Sequence, residues 1–288
     1  MVGFLGVLPL WLARLVATVL VVVVYPLLGR LRRVGLRNLE LALPELSIRQ
    51  REEILKGVFR SLGRQLIEFC RMNRYTLENT KGHIRAEGME HYLVARARGK
   101  GVLITTGHLG AWELSGVYLS LFGHTMSVVI RRLDNRLIDE LVNSRRCLHG
   151  NRMLHKDDFG RGLLSAMRKG ETVAILMDTN MTPPQGAFVD FFGREACTAT
   201  GLAHMARKTG AAVLPAFMLW EETEQSWVLH FGHPLDPPHT DDANADILAI
   251  TQQCTKTIED WIRRYPDQWL WIHRRWKTRP AGEPSLYA

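Results

Sequence analysis

The sequence predicts an α/β protein, a single domain with a mixed, mostly parallel sheet covered by helices, plus an N-terminal hydrophobic membrane-anchor helix. Short apolar runs alternate with segments of helical periodicity, and glycines stand at the junctions between them. No repeat, low-complexity tract or linker divides the chain into halves. A long apolar stretch opens the sequence and predicts the anchor. We therefore expect the anchor in residues 1–29 and the folded domain in residues 30–288.

The apolar stretch has one charged side chain, Arg14, between residues 2 and 29. A continuous helix of about 28 residues would be about 42 Å long, which exceeds the ~30 Å hydrocarbon core of a bilayer. Pro9 and Pro26 are positions at which such a helix would break. The stretch lacks the basic start and the small-residue cleavage site of a secretory signal peptide, which favours an uncleaved anchor. A helix buried inside the domain is the alternative.

The residues that follow the apolar stretch indicate on which side of a membrane the domain lies. Basic clusters beside a membrane segment remain in the cytoplasm and attract anionic lipid, and four arginines stand here: Arg30, Arg32, Arg33 and Arg37. The cysteines are widely spaced and match no zinc, redox or haem pattern: Cys70, Cys147, Cys197 and Cys254. Such spacing is typical of reduced thiols, which agrees with a cytoplasmic domain.

The chain of 288 residues is basic, with 37 Lys and Arg against 29 Asp and Glu and a formal net charge of +8. A hydrophobic fraction of 46% excludes a disordered protein, and only four cysteines exclude a disulfide-stabilised scaffold. A basic surface suits nucleic acid, anionic lipid headgroups or an acidic protein partner. The sequence contains no helix-turn-helix, RNP-like or zinc-finger signature, which argues against nucleic acid.

The elements of the domain follow from periodicity and from the residues that begin and end them. Residues 46–70 are amphipathic with helical spacing, and Ser47 is placed to cap that helix. The apolar run of residues 101–106 predicts a short buried strand, and residues 111–122 predict a helix ended by Gly123. The same alternation predicts strands at 124–130, 172–177, 211–219 and 227–231, and helices at 162–169, 201–209 and 242–265.

The residues that point to chemistry lie where the first strand ends and its helix begins. His108 falls in this turn, and Glu113 follows in the first turns of the helix. Ligands of open α/β sheets bind beyond the carboxyl ends of the strands, where helix N-termini also offer free N–H groups. A carboxylate on one imidazole nitrogen fixes the tautomer, so that the other nitrogen can accept a proton. The pattern predicts a general base, His108, oriented by Glu113, with a surface ion pair as the alternative.

The same segment fits neither a metal site nor a serine hydrolase. The spacing between His108 and Glu113 is not the i, i+4 spacing of a helical zinc pair, and no cysteine or second histidine lies close by in sequence. The chain also lacks a G-x-S-x-G nucleophile elbow. We therefore expect no metal at this segment.

The chain contains four segments that together resemble one known family: HLGAWE (108–113), IRRLDNRLID (130–139), GETVAILMDTN through GAFVDFFG (170–193) and QWLWIHRRWKTRPAGEPSLY (268–287). The first is similar to the His-x-x-x-x-(Asp/Glu) motif of the lysophospholipid and glycerolipid acyltransferase superfamily. Within that superfamily, all four resemble the bacterial late acyltransferases of lipid A biosynthesis, the lauroyl and myristoyl transferases. The chain departs from the family's pattern at four positions, none of them an expected catalytic group: Arg132, Met177, Thr179 and Asp190.

The resemblance implies a membrane-bound acyltransferase of lipopolysaccharide biosynthesis. It would move a fatty acyl chain from acyl carrier protein to a hydroxyl of a 3-hydroxyacyl chain on a lipid A precursor, at the cytoplasmic face of the cell inner membrane. His108 would take the hydroxyl proton and Glu113 would orient it, with no covalent intermediate, metal or cofactor. A phosphorylated acceptor, an acidic carrier protein and an anionic leaflet would together account for the basic charge.

The resemblance also implies substrate-binding residues. Arg131 and Asn135 fall on an Arg and an Asn of the family's pattern, and Asp178 falls on its Asp. Arg274 and Arg275 lie near the C-terminus as candidates for phosphate contact. From the residues alone, a solvated surface side chain is the alternative for Arg131, and a basic end that complements a membrane surface is the alternative for the two C-terminal arginines. For Asp178 alone, a turn cap is the simpler interpretation.

Two other functions remain open at this point. The nearest is acyl transfer of the same chemistry to another glycolipid or phospholipid acceptor, since only the acceptor pocket would differ. The other, of a different class, is a non-catalytic membrane protein that binds lipid. In the acyltransferase interpretation, the anchor and the helix at residues 46–70 help to line an apolar groove for acyl chains, with Leu62 and Ile67 on its wall.

Overall fold

The computed structural model describes residues 2–130, 134–155 and 159–287. Within these ranges the chain forms ten α-helices and nine β-strands. The helices are α1 (Val2–Val7), α2 (Leu10–Val24), α3 (Gly29–Ala42), α4 (Ile48–Arg71), α5 (Met89–Ala97), α6 (Trp112–Leu121), α7 (Arg136–Arg146), α8 (Phe159–Arg168), α9 (Gly201–Thr209) and α10 (Ala243–Arg264). The strands are β1 (Ile84–Glu87), β2 (Val102–Thr106), β3 (Met126–Ile130), β4 (Arg152–His155), β5 (Thr172–Leu176), β6 (Gly186–Asp190), β7 (Glu195–Ala199), β8 (Ala212–Glu221) and β9 (Ser226–Phe231).

Seven strands form one sheet in the order β1-β9-β8-β2-β5-β3-β4. Neighbouring strands are parallel, except that β8 and β9 are antiparallel. The strands β6 and β7 pair with each other in a separate antiparallel hairpin. The predicted fold class, a single α/β domain with a mixed, mostly parallel sheet covered by helices, is confirmed.

The central strands divide their side chains between two apolar cores, because successive residues of a strand point to opposite faces of the sheet. Leu103 and Val213 face the core that α8, α9, α10 and the C-terminal tryptophans complete. Ile104 and Leu214 face the core that α5 and α6 complete. Since helices cover both faces, a site can open at the carboxyl ends of the strands.

The predicted elements of the domain are present, with ends that differ by at most three residues. Ser47 caps α4 in a capping box: its hydroxyl oxygen accepts from the Gln50 N–H at 3.3 Å, and the Gln50 side chain accepts from the Ser47 N–H at 2.9 Å. Several elements had no strong sequence signal, because their side chains are mostly polar or their length is short: α3, α5, α7, β1, β4, β6 and β7.

The N-terminal apolar stretch forms two helices, because both prolines interrupt it. Pro9 precedes α2 at its N-cap, and Pro26 lies in a short 3₁₀ turn after it. One face of α2 packs on α4, where Ala13, Ala17 and Ile67 form a small buried cluster. The other face leaves large apolar side chains exposed: Trp11, Leu15, Val19, Val22 and Val23.

By length and composition, residues 10–27 form the one candidate membrane span among the described residues. Only 11% of this segment is buried. An apolar helix that is so little buried does not match the alternative of a core helix, and it is consistent with association with a membrane.

Candidate active site

The site lies at the carboxyl ends of β2 and β5, which are neighbouring parallel strands. Thr106 pairs with Leu176 at the ends of the two strands, and the Met177 N–H donates to the Thr106 carbonyl at 2.9 Å. His108 and Asp178 each stand two residues beyond this last pair. The register of the sheet therefore brings together two side chains that are 70 residues apart in sequence.

Asp178 holds His108 by two hydrogen bonds. The imidazole Nδ1 lies 2.8 Å from Asp178 Oδ1, and the His108 backbone N–H donates to Oδ2 at 2.6 Å. A Cβ atom at Gly107 would stand 2.9 Å from Oδ2, so that only a glycine admits this approach. Since Nδ1 is bound to the carboxylate, Nε2 is the nitrogen left for a substrate, and it makes no hydrogen bond with another described residue.

Burial and charge oppose each other in this pair, and charge prevails. Burial alone would raise the pKa of Asp178, but the charge of His108 and the hydrogen bonds from His108 and Trp269 lower it to about 2. Burial alone would lower the pKa of His108, but Asp178, with a smaller effect of Glu113, raises it above its usual 6.5. The arrangement stabilises an imidazolium after proton uptake, which a general base requires.

Glu113 is not on the imidazole, which corrects the expected His108–Glu113 pair. Its carboxylate binds Arg146 with two hydrogen bonds, Nε to Oε2 at 2.8 Å and Nη2 to Oε1 at 2.5 Å. The physical reason is direction: Glu113 points from the first turn of α6 towards the last turn of α7, which supplies Arg146. The ring of Trp112 packs against His108 instead, with ring centroids 5.0 Å apart.

The C-terminal segment, residues 268–278, lies across the turn that carries His108, and we call it the C-terminal strap. The Gly110 N–H donates to the Gln268 carbonyl at 3.1 Å, and the Leu270 N–H donates to the His108 carbonyl at 3.0 Å. The indole N–H of Trp269 donates to Asp178 Oδ2 at 2.7 Å. The strap therefore fixes both the histidine turn and the carboxylate that orients the imidazole.

The expected substrate contact of Arg275 is also corrected. Its side chain is fully buried, and its guanidinium donates to the carbonyls of Cys197 at 2.9 Å and Thr179 at 3.3 Å and to the Thr198 hydroxyl. Burial lowers the pKa of this guanidinium to about 10. Arg275 joins the strap to β7 and to the segment after β5, so that it supports the site and is not open to a ligand.

The remaining predicted residues make other contacts or fall outside the described ranges. Asn135 caps α7, because its side-chain oxygen accepts from the N–H groups of Leu137 at 3.0 Å and Ile138 at 3.2 Å. The Arg274 guanidinium stands 5.8 Å from the centroid of the Tyr287 ring. Arg131 falls outside the described residues, so its binding role stays a prediction.

A cavity of about 320 Å³ opens beside His108. Its polar lining includes His108, Glu113 and Arg146, and apolar side chains of α6, β3 and β5 form its depth: Val117, Met126, Val128, Ile130, Ala174 and Leu176. Such a cavity accepts an apolar chain whose polar end meets the imidazole.

A second cavity of about 200 Å³ between α4 and α6 shares Trp112 and Glu113 with the first. Leu62 lines this second cavity, as expected of an apolar groove, whereas Ile67 packs against α2 and lines neither. Within the three described ranges, no three His, Cys, Asp or Glu side chains lie close enough to ligate one metal ion.

Two functional side chains escaped sequence reasoning. Arg146 lies on a helix that the sequence did not indicate, so nothing pointed from it to Glu113. Trp269 has no predicted role at the site; its ring is fully buried, and its indole N–H donates to the Asp178 carboxylate. The signal available for Trp269 was the polar end of a tryptophan, which usually finds a partner when it is buried.

Comparisons with known proteins agree on one family. The profile described as bacterial lipid A biosynthesis acyltransferase matches residues 2–278. The chain is 31% identical over 263 residues to the lipid A biosynthesis palmitoleoyltransferase of Escherichia coli (strain K12), covering 91% of this chain and 84% of that protein. It is 32% identical over 252 residues to the lipid A biosynthesis lauroyltransferase of the same organism, covering 87% and 80%. With the myristoyltransferase of that organism the identity is 24% over 256 residues, covering 89% and 78%.

Proposed function

The chain belongs to the bacterial lipid A biosynthesis acyltransferase family, and on that premise we propose that it transfers a fatty acyl chain from acyl-acyl carrier protein to a hydroxyl of a 3-hydroxyacyl chain on a lipid A precursor. The family and the names of the relatives support the acyl transfer and the lipid A acceptor. The net charge of +8 supports an acidic protein, acyl carrier protein, as the carrier of the acyl group.

One observation carries the proposal: His108 is locked through Nδ1 while Nε2 lies open beside an apolar cavity. A non-catalytic lipid-binding protein would gain nothing from burying an ion pair at the mouth of its pocket, because taking two charges out of water is costly. A hydroxyl that enters the cavity beside the imidazole meets a base whose protonated form is already stabilised by Asp178.

The reaction then needs one proton to move twice. His108 Nε2 takes the hydroxyl proton as the acceptor oxygen attacks the thioester carbonyl, and a tetrahedral intermediate forms. When the C–S bond breaks, the protonated imidazole returns the proton to the leaving thiolate. The products are the ester and the free thiol of the carrier, so that no covalent enzyme intermediate is required.

The first turn of α6 supplies the charge stabilisation that the intermediate needs. The N–H groups of Trp112 and Glu113 make no hydrogen bond with another described residue, as expected for the start of a helix. In the proposed reaction, these N–H groups donate to the oxyanion of the tetrahedral intermediate. Glu113 uses Nε and Nη2 of Arg146, which leaves Nη1 available to a phosphate or to the oxyanion.

The N-terminal helices support a location at a membrane. We propose that residues 1–29 are the anchor, that residues 30–288 are the catalytic domain, and that this domain lies at the cytoplasmic face of the cell inner membrane. Because one face of α2 packs on α4, the exposed apolar face is the part that enters lipid. The arginines that follow would lie at the anionic headgroups.

The direct test is transfer of a labelled acyl chain from acyl carrier protein to a tetra-acylated, Kdo-bearing lipid A precursor by detergent-purified protein. We expect transfer by the wild-type chain and its loss in His108→Ala. Slow hydrolysis of the donor that depends on His108, without transfer, would keep the chemistry and point to another glycolipid or phospholipid acceptor. Equal inertness of both proteins towards every donor would instead favour a non-catalytic lipid-binding protein.

A further inference from the structure

A third cavity lies on the opposite side of α4 from the His108 site, with a volume of about 480 Å³. Its α4 wall is formed by Arg60, Gly63, Arg64 and Ile67, together with Lys56 one turn earlier. At 100° per residue, this face of α4 is centred about 140° from that of Leu62, Leu66 and Phe69, which line the cavity beside Trp112. The third cavity also shares no lining residue with either of the other two. The third cavity is therefore separate from the catalytic pocket.

Four cationic side chains line this cavity, and its lining includes no carboxylate: Arg14, Lys56, Arg60 and Arg64. Two of them form salt bridges with carboxylates that do not line the cavity: Lys56 with Glu53 and Arg64 with Glu222, each at 2.8 Å. The other two make no salt bridge or hydrogen bond through their guanidinium groups to a residue in the described ranges.

Two of these cationic side chains make cation–π contacts with the ring of Trp220. The guanidinium carbons of Arg14 and Arg64 stand 5.0 and 4.8 Å from its centroid. Burial lowers the pKa of Arg64, the charges of Glu222 and Asp267 oppose this, and the charge of Arg60 lowers the pKa by a smaller amount. Cations held this close to one another favour an anion between them.

The other wall of the cavity is apolar. Ala17, Val21 and Val22 come from α2, and Tyr25 follows them. Val22 is also one of the exposed apolar side chains of α2, so that the cavity opens beside the face that would enter lipid. Arg14 is the only charge in that apolar helix, and an ionisable residue at such a position usually serves a site.

We propose that this cavity binds the phosphate headgroup of an anionic phospholipid whose acyl chains lie along α2. The charges fit, because the lining retains two unpaired guanidiniums for one phosphodiester. The apolar wall fits a lipid better than free phosphate, which would leave Val21 and Val22 without a partner. The position on the far face of α4 fits a bound membrane lipid and not the acceptor substrate, which must reach His108.

The test is thermal unfolding of the full chain in neutral detergent with added phosphatidylglycerol, phosphatidylcholine of the same chains, or inorganic phosphate. A ligand that binds only the folded state raises the Tm in a saturable way. We expect phosphatidylglycerol to do so, phosphatidylcholine to act weakly, and inorganic phosphate to act weakly. In Arg14→Gln/Arg60→Gln, losing two charge-assisted contacts should raise the half-saturating phosphatidylglycerol concentration by about tenfold or more.

The matched control is Arg98→Gln/Arg168→Gln, which removes the same charge from exposed positions that lie outside the cavity lining and outside the N-terminal arginine cluster. It should leave the response to phosphatidylglycerol unchanged, and equal losses in both double variants would overturn the proposal. An equal Tm increase with inorganic phosphate would also overturn it, because the site would then recognise a free anion only. If Arg14→Gln/Arg60→Gln does not fold, Thr18→Phe fills the cavity mouth without changing charge and should abolish the saturable response.

Discussion

The two sides of the catalytic cavity each hold one carboxylate near His108, and the surroundings of these carboxylates differ. Asp178, on the β5 side, has 2% of its side chain exposed and accepts two hydrogen bonds from His108 and one from Trp269. Glu113, on the α6 side, has 23% of its side chain exposed and is bound by Arg146. Both raise the pKa of the imidazole, but only Asp178 touches it.

This difference separates two tasks that the sequence motif assigns to one residue. The carboxylate that binds the imidazole must be shielded from water, fixed in position and ionised. Asp178 meets these conditions because it is buried at the end of β5 and is held by hydrogen bonds. The carboxylate in the motif, Glu113, is more exposed to solvent and holds the Arg146 guanidinium at the wall of the cavity. We infer that Asp178 orients the base and that Glu113 positions Arg146.

The largest effect should come from Asp178→Asn. An amide can neither stabilise the imidazolium nor select the tautomer reliably, so we expect kcat/KM to fall by about 10³-fold or more. Wild-type kcat/KM should decline as the pH falls through the raised pKa of His108, because the base must be neutral. Without the carboxylate, that pKa falls, and the acid limb of the pH profile should move to lower pH.

If Asp178→Asn retains nearly full kcat/KM while Glu113→Gln loses nearly all of its activity, the roles assigned to the two carboxylates are wrong. The Tm of Asp178→Asn serves as the control, since a large decrease would mean that lost structure accounts for the lost activity. A decrease in activity with an unchanged acid limb would show that Asp178 does not act on the imidazole.

Glu113→Gln should have an intermediate effect, a decrease in kcat/KM of about 10- to 100-fold, because Arg146 loses its position by a fraction of an ångström to about 1 Å. A double-mutant cycle with Arg146→Met measures the coupling. The double variant should be less impaired than the two separate losses predict, since no unpaired charge remains. Additive losses would place the two residues in independent roles.

Features of the fold and the site that depend on residues close together in the sequence could be predicted, and those that depend on residues far apart in the sequence could not. Local signals predicted β2, α6 and β5, and they placed His108 in the right turn. They did not indicate that β2 and β5 are neighbours, and that pairing alone decides that Asp178, and not Glu113, meets the imidazole. Arg275 looked like a surface cation, because nothing in its local sequence shows that the strap buries it.

A smaller effect is expected from Trp269→Phe, which removes one hydrogen bond to the Asp178 carboxylate and keeps most of the ring volume. Such a bond stabilises a charged group by about 1.5–3 kcal/mol. Since the carboxylate keeps both of its hydrogen bonds to His108, only the lower end of this range should be lost in catalysis, and we expect kcat/KM to fall by about tenfold. Without this donor the Asp178 carboxylate interacts more strongly with the imidazolium, so the pKa of His108 should rise slightly and the acid limb of kcat/KM should move to higher pH. Measuring kcat/KM against pH distinguishes this from a loss of packing.

The chain offers a matched control in Trp276→Phe. Trp276 is equally buried in the strap, but its indole N–H has no partner among the described residues. Its substitution by Phe removes a similar volume without a hydrogen bond to the site. Equal effects of the two substitutions on the pH profile would mean that Trp269 only packs.

The smallest expected effect is a change in acyl-chain preference, which tells which of the two cavities that meet at Glu113 holds the acyl chain. Ala174→Leu fills the depth of the cavity beside His108, and Leu62→Phe fills the cavity between α4 and α6. Each methylene that can no longer be buried costs about 0.8 kcal/mol, or about fourfold in kcat/KM. We therefore expect Ala174→Leu to shift the preference towards shorter acyl donors by several fold and Leu62→Phe to leave it unchanged. The reverse result, measured with a series of acyl-acyl carrier proteins, would place the acyl chain in the cavity between α4 and α6, beside Leu62 and away from Arg146.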